Sequence, residues 1–269
     1  MVATAIRASA LGLLPATARA AEPASVDPAC FSSHDLWSPL PDRCLGVIDT
    51  DRPHQTDTPH TVPAGHTQIE SALVAVELGG GVESRRGQAA KLRLFDDAYK
   101  FGLASGVDLQ LLFDHAAYDL GSRRLLPPGP LSLRAKFSLR AEAGAIPAVT
   151  FVPWVFLPIA PTQALRGGPL AFFGWELPFG FELEANAGVL FAARPKPPAA
   201  VVLASALTYT VAGEFRIFID AYATGWDIAF GTGALWAFAR DMQLDLGTYL
   251  GLSGDEPVAT PFLGFSVRR

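Results

Sequence analysis

The chain has 269 residues, of which 50% are hydrophobic and 17% are charged, and its formal net charge is −5. An average soluble domain carries about 25% charged residues, so this composition excludes a disordered chain and is unusual for a soluble globule. The acidic balance excludes nucleic acid as a partner, because neutralising phosphates needs clustered Lys and Arg. The 25 glycines and 22 prolines indicate a turn-rich, all-β chain.

Residues 1–21 have the features of an export signal. Arg7 provides a positive charge, residues 8–14 are apolar, and residues 18–20 fit the A-x-A pattern of a cleavage site. We therefore predict a signal peptide over residues 1–21 and an exported mature chain. A disordered start of the chain is the alternative.

Two cysteines, Cys30 and Cys44, follow shortly after that segment. In an exported chain an even number of cysteines indicates a disulfide, which persists in an oxidising compartment. A lipid anchor on Cys30, a metal site and a pair of free thiols are the alternatives. We predict the disulfide, no metal ion and no cofactor.

One long apolar run, residues 145–165, has the length of a membrane helix, which needs about 20 residues. Four prolines interrupt the run, and proline breaks the hydrogen-bond ladder of a helix. We therefore predict no membrane helix here.

From residue 66 onward, apolar residues alternate with polar or small ones. In residues 131–140, Leu and Phe side chains occupy one face and Ser, Arg and Lys side chains occupy the other. A period of two residues is typical of a β-strand with two different faces. The pattern predicts about twelve strands, near 67–78, 88–96, 106–116, 130–142, 147–158, 168–177, 179–191, 200–212, 214–224, 227–239, 241–252 and 258–268.

Alternation fits either a soluble β protein or an outer-membrane barrel, whose apolar face meets lipid. The predicted strands are near the 9–11 residues that span a membrane when tilted. Their polar faces carry many glycines, which suits a crowded lumen. Aromatic residues also gather near strand ends, as in an interfacial girdle. The aromatic residues in question are Trp154, Phe156, Phe172, Phe173, Trp175, Phe179, Trp226, Phe230, Trp236 and Phe238. We predict an antiparallel up-and-down transmembrane β-barrel of about 12 strands.

Residues 50–70 read TDRPHQTDTPHTVPAGHTQIE. This stretch resembles the opening signature of the putative MetA-pathway of phenol degradation family, a group of bacterial outer-membrane β-barrels often labelled transporters. The pattern matches at Thr50, Asp51, Arg52, Pro53, Thr56, Pro59, Val62, Pro63, Gly65, Gln68 and Glu70. The resemblance extends over about residues 49–269 and implies an outer-membrane barrel that carries solutes.

The signature itself is too polar for lipid and too rich in proline for a helix. We expect it to fold into the lumen, with Arg52 paired to inward carboxylates such as Glu70, Glu182 or Glu184; a solvated periplasmic tail is the alternative. The chain then divides into a signal peptide (1–21), an N-terminal periplasmic or lumenal segment (22–66) and a barrel (67–269). The histidines at 54, 60 and 66 are interpreted as solvated; a metal site is the alternative.

The sequence carries no nucleophile elbow, P-loop, CxxC or HExxH motif, so we predict no enzyme. The predicted function is an outer-membrane channel for small solutes, including aromatic or apolar ones; a closed structural or ligand-binding barrel is the alternative. Expected partners are membrane lipid, a small-molecule solute and the barrel insertion machinery, which usually reads a terminal aromatic where this chain has Arg269. The predicted lumen-lining residues are Asp51, Arg52, Glu70, Arg134, Lys136, Arg140, Glu182, Glu184, Asn186, Arg216, Asp220 and Asp245.

Overall fold

The computed structural model describes residues 27–79, 90–161, 163–193, 199–253 and 257–269. The export signal predicted over residues 1–21 lies outside these described residues. No helix in the described ranges has the length and apolar character to cross a membrane. The strands are β1 (Thr67–Leu78), β2 (Ala90–Ala104), β3 (Val107–Asp119), β4 (Arg124–Leu126), β5 (Leu131–Arg140), β6 (Ala148–Leu157), β7 (Arg166–Leu177), β8 (Phe181–Ala192), β9 (Ala199–Ala212), β10 (Phe215–Thr224), β11 (Asp227–Ala239), β12 (Met242–Ser253) and β13 (Thr260–Arg268).

The strands form one closed antiparallel ring. Each long strand pairs with its neighbours in sequence, and β13 pairs back onto β1, with Gln68 opposite Arg268. The three-residue β4 pairs only with the end of β3, so it lies beside the ring and twelve strands close it. Closure leaves no open edge, which a sheet in lipid requires because its backbone groups have no water to bind. The predicted barrel of about 12 strands is confirmed.

The second strand differs most from its predicted bounds. The alternation breaks at Phe95, Asp96 and Asp97, so the sequence pattern predicted an end near 96, whereas β2 continues to Ala104. Phe95 has a positive φ of 57°, and ladder pairs to β1 and β3 are present on both sides of it. The backbone therefore absorbs the interruption locally without ending the strand.

The two ends of the barrel differ in the length of their connections. At one end the strands are joined by residues 105–106, 141–147, 178–180, 213–214 and 240–241, and the N-terminal segment and the last strand also meet there. Most connections at the other end are longer. Outer-membrane barrels have short periplasmic turns and longer extracellular loops. We therefore call the first end periplasmic and the second end outer.

The barrel wall is apolar outside and polar inside. In β12, Gln243 and Asp245 are fully buried, whereas Leu246, the residue after Asp245, is 57% exposed. The same alternation occurs in β5, where Arg134 and Lys136 are buried. The exposed leucine and phenylalanine side chains therefore form the surface that contacts lipid.

Part of the predicted aromatic girdle is wrong. Phe179 and Trp226 are 90% and 85% exposed near strand ends, as a girdle requires. Phe172, in contrast, is 0% exposed, and Trp154 and Phe156 pack against the buried cluster that contains it. These three rings point into the barrel because their strand phase, and not their distance from the strand end, decides which face they join.

Candidate channel lumen and its N-terminal plug

Residues 47–66, which we call the plug, run inside the barrel. The segment enters at the periplasmic end, where the Ile48 N–H donates to the carbonyl of Arg240 at 2.7 Å. It returns to the same end, where the Gly65 N–H donates to the carbonyl of Gly102 at 2.8 Å. Between these points the plug forms no strand, and its polar groups bond instead to inward-facing side chains of the wall.

A charge cluster around Asp51 holds the centre of the plug. Lys100 Nζ and Lys136 Nζ each donate to the Asp51 carboxylate at 2.6 Å, and Arg134 Nη2 donates to it at 2.9 Å. All four side chains are at most 5% exposed. Burial alone would raise the pKa of Asp51, but the three cations outweigh it and hold the pKa well below its usual range. Asp51 is therefore an anion that neutralises cations from β2 and β5.

Glu70 on β1 fixes the plug backbone beside this cluster. Its carboxylate accepts the backbone N–H of Asp51 at 3.2 Å and that of Arg52 at 3.1 Å. The same carboxylate also accepts hydrogen bonds from Lys100 Nζ and from Gln68. Its two oxygens thus accept four hydrogen bonds in all. Glu70 thereby joins the plug to the first strand of the wall.

Arg134 connects the plug to the outer half of the lumen. Its guanidinium binds both oxygens of Asp57, at 2.7 and 2.9 Å, in a bidentate pair. With its amide oxygen toward the plug, Asn186 accepts the Asp57 N–H at 2.7 Å and donates to the Asp57 carbonyl at 3.0 Å. The ring of Trp154 packs against this guanidinium, and its centroid is 5.3 Å from the central carbon of the guanidinium.

Further contacts attach the plug around the ring. Arg52 Nη2 lies 3.3 Å from Asp245 on β12. The Gln55 N–H donates to Asp220 on β10 at 2.6 Å. Other contacts between plug and wall are His54 with Glu184, Val62 with Asp108, Thr58 with Lys136, Thr50 with Gln243, Pro59 with Thr150, and Pro53 with Tyr249.

Two glycines of the wall leave room for plug prolines. A Cβ at Gly174 on β7 would lie 2.6 Å from Pro59 Cγ, and one at Gly102 on β2 would lie 2.0 Å from the Pro63 carbonyl oxygen. Both distances are shorter than any ordinary carbon contact. The plug therefore sits against bare backbone at these two positions.

The structure places most of the predicted lining residues at the plug. Asp51, Glu70, Arg134, Lys136, Asn186, Asp220 and Asp245 are buried inside the barrel. Glu182 and Arg216 form a partly exposed pair at 3.3 Å, nearer the periplasmic end. Arg140 is exposed at the end of β5, beyond a register shift between Ser138 and Arg140.

Arg52 pairs with an inward carboxylate, as expected, but with one that the sequence analysis did not name as its partner. Its guanidinium pairs with Asp245, not with Glu70, Glu182 or Glu184, while Glu70 binds the Arg52 backbone instead. The predicted set also missed several lumenal side chains. Lys100 lies beyond the end predicted for the second strand, and Asp57 lies in the plug, where no strand phase indicates a direction. Asp108, Gln110 and Gln243 do lie on polar strand faces, so alternation could have added them.

The interpretation of the histidines as solvated holds for only one of the three. His60 has a side chain that is 62% exposed. The His54 side chain is only 6% exposed and lies 3.3 Å from Glu184, and His66 is buried with its Nε2 2.8 Å from the Leu40 carbonyl oxygen. Across the described residues, no group of three or more His, Cys, Asp or Glu side chains is arranged to hold a metal ion.

The segment before the plug lies at the periplasmic rim and is closed by a disulfide between Cys30 and Cys44, as predicted. The His34 N–H donates to Ser105 in the turn between β2 and β3. Across the β1–β13 junction, Arg240 in the turn between β11 and β12 donates to the Asp42 carbonyl at 2.9 Å. The disulfide-closed segment is thus attached to turns at separate points of the rim.

The plug separates two cavities of about 430 Å³ each. The outer cavity has the plug as its floor, and its wall includes Trp154, Phe156, Arg166 and Tyr222. The inner cavity opens among the periplasmic turns and is lined by acidic residues that include Glu142. The lumen is therefore occupied at mid-height and hollow above and below.

The fold is similar to those of solved outer-membrane channels. The COG4313 outer membrane channel from Pseudomonas putida F1 matches with a TM-score of 0.54 and 13% identity, over 82% of this chain and 100% of that chain. The KdgM porin matches with a TM-score of 0.51 and 9% identity, over 74% and 98%. At these identities the likeness is one of fold. A comparison with curated proteins gives no match.

The family described as "Putative MetA-pathway of phenol degradation" matches this chain over residues 50–268, from the first plug signature residue to the end of β13. The family and the fold together locate the protein in the outer membrane of a Gram-negative-type envelope. This chain, a closed twelve-stranded barrel with its signature segment folded inside, belongs to that family.

Proposed function

We propose that this protein is an outer-membrane channel that passes small solutes, including aromatic or apolar ones, and has no catalytic role. The observation that carries the proposal is the pair of cavities of about 430 Å³, one on each side of the plug. Family membership and the likeness in fold to outer-membrane channels support the same function. Selection in such a channel depends on the width and the charge of the lumen.

Passage in this proposal requires the plug to shift. Asp57 and Arg134 lie at the floor of the outer cavity, so a solute that crosses the plug beside β5 passes their ion pair. The plug and its wall carry charges of both signs, so we expect weak ion selectivity. This proposal includes the lining roles of the twelve residues named from the sequence. It also includes the division of the chain at residue 66 and the export signal.

Planar-bilayer recording of the purified protein tests the channel directly. We expect steady single-channel steps from the native protein and a changed step size from Arg134→Gln, because that residue lies in the path. Arg124→Gln is the matched control, because Arg124 is an exposed arginine on β4 that lies outside the closed ring and lines neither cavity. Silent bilayers, with protein that still shows heat-modifiable gel mobility, would contradict the proposal.

A closed barrel that binds a ligand is the second candidate. The buried cluster of Asp51 with three cations favours it, because removing one partner of a buried ion pair costs about 3–5 kcal/mol. A plug that is bound this tightly would stay in place and keep the lumen closed. Ligand binding without single-channel steps is the result that this candidate predicts.

A further inference from the structure

Two aromatic rings lie between two arginines along one wall of the outer cavity. The rings of Trp154 and Phe156 on β6 lie with centroids 4.5 Å apart. The guanidinium carbon of Arg134 is 5.3 Å from the Trp154 centroid, and that of Arg166 is 4.8 Å from the Phe156 centroid. All four residues line the outer cavity. The wall therefore presents an apolar ring surface with a cation at each end.

The strand register fixes this order. Arg134 on β5 is directly opposite Trp154, and Arg166 on β7 is directly opposite Phe156. Trp154 and Phe156 are two residues apart on one strand, which places the two rungs about 7 Å apart. Arg166 is the first residue of β7 at the outer end, so it lies nearer the mouth, and Arg134 lies deeper, at the plug.

The two arginines differ in their partners. Arg134 is engaged by Asp51 and Asp57 of the plug. Arg166 is exposed, and no carboxylate in the described ranges of the chain pairs with it. A guanidinium presents planar donors that match a carboxylate bidentately. Arg166 therefore offers a recognition group at the mouth, beside a ring surface that can pack against an apolar ligand.

Carboxylates on the neighbouring strands β2 and β3 do not cancel this arrangement. Asp96 on β2 and Asp114 on β3 are each 2.8 Å from nitrogen atoms of Arg93. Asp97 accepts a hydrogen bond from Tyr99 at 2.9 Å. The acidic wall and the arginine–ring wall thus belong to different strands, and Arg93 offsets two of the acidic charges.

We propose that the outer cavity binds small aromatic carboxylates, with the ring packed on Trp154 and Phe156 and the carboxylate on Arg166. This rests on the proposed channel function, because it names the class of solute that the channel takes up. The ring gains apolar contact and the carboxylate gains charge-assisted hydrogen bonds, so a ligand with both groups binds more tightly than a ligand with one.

Isothermal titration of the full-length protein in detergent, with benzoate, benzyl alcohol and acetate as probes, tests the proposal. We expect benzoate to bind at least about tenfold more tightly than either other probe, the effect of about one charge-assisted hydrogen bond. Arg166→Gln should remove that advantage over benzyl alcohol. Phe156→Leu should weaken benzoate and benzyl alcohol together, because both lose the ring surface.

Arg124→Gln is the matched control, because Arg124 is an exposed arginine at the same end of the barrel that does not line the outer cavity. Heat-modifiable gel mobility verifies that each variant is folded. Equal binding of benzoate and benzyl alcohol to the native protein would overturn the proposal, as would an unchanged ratio in Arg166→Gln. Benzoate binding with silent bilayers rejects only the channel function; single-channel steps without benzoate preference reject only the solute class.

Discussion

Lys136 Nζ donates to Asp51 Oδ1 at 2.6 Å, although the two residues are 85 positions apart in the sequence. The lysine projects from the wall and the aspartate from the plug, and both side chains are almost fully buried. The same ammonium group donates to the carbonyl oxygens of Thr58 and His60. One wall lysine therefore binds the plug at three positions, and the charge on Asp51 is what holds it there.

Replacing Asp51 with asparagine should loosen the plug. Lys100, Arg134 and Lys136 would lose a shared anion, and breaking a buried pair costs about 3 kcal/mol. We expect a lower temperature for loss of the compact gel form and a larger single-channel conductance. Asp42→Asn, in the exposed segment before the plug, is the control and should change neither property. Native-like conductance in Asp51→Asn would argue against the plug as the barrier.

Gly174→Ala should displace the plug by crowding alone. The added Cβ would lie 2.6 Å from Pro59 Cγ, and overpacking of this kind costs about 1–3 kcal/mol. We expect higher conductance together with a lower melting temperature. Gly46→Ala makes the same chemical change where a Cβ meets nothing within 4 Å. The two variants should therefore differ, and equal behaviour would mean that Pro59 yields without cost.

The pair of His60 and Asp49 should make the plug sensitive to alkaline pH. A 2.7 Å hydrogen bond to Asp49 raises the pKa of His60, and the Coulombic attraction of that carboxylate adds to it. The stabilisation is complete below the ordinary histidine pKa of about 6.5 and is lost as pH rises through the higher pKa of the folded protein.

NMR titration of the His60 ring measures this effect. Asp49→Asn should return the pKa of His60 towards about 6.5. Asp42→Asn, which removes an exposed carboxylate from the segment before the plug, is the matched control and should leave the pKa of His60 unchanged. If His60 titrates at the same pH in both proteins, the hydrogen bond to Asp49 does not control its charge.

Reducing the disulfide should expose the periplasmic segment without opening the barrel. Cys30 and Cys44 close a small loop, and a crosslink across about 15 residues contributes roughly 3 kcal/mol by restricting the unfolded chain. Arg43 lies within that loop and is exposed, so trypsin should cleave after it faster under reducing conditions. The compact gel form should persist. Equal cleavage rates in oxidised and reduced protein would count against this role.

The wall of the barrel could be predicted from the sequence because strand phase is a local property. Alternation in β5 correctly separated Lys136 and Arg134 from the lipid-facing leucines. The same pattern predicted an end of the second strand that is too early. At Phe95 the backbone has a positive φ and β2 continues to Ala104, and a period of two residues does not predict such a local change in the backbone. Lys100 was missed for that reason.

The plug could be predicted only in outline. Its prolines and charges indicated a segment that is neither helix nor strand, but they did not indicate which wall residue each plug residue meets. Those pairs depend on the register of strands far apart in sequence, as when Arg52 meets Asp245 on β12 and not Glu184 on β8. Such partners follow from three-dimensional closure and not from local spacing.

Both ends of the plug leave the lumen at the periplasmic rim, at Ile48 and at Gly65, and the second end continues directly into β1. The segment is therefore a loop that is anchored at both ends, and it cannot diffuse away from the barrel. From Arg52 to Thr67 the chain spans 15 positions, which extend to at most about 50 Å. A loop of that reach can swing below the barrel and stay close to its binding partners. Its effective concentration there is high, so reseating needs no second molecule.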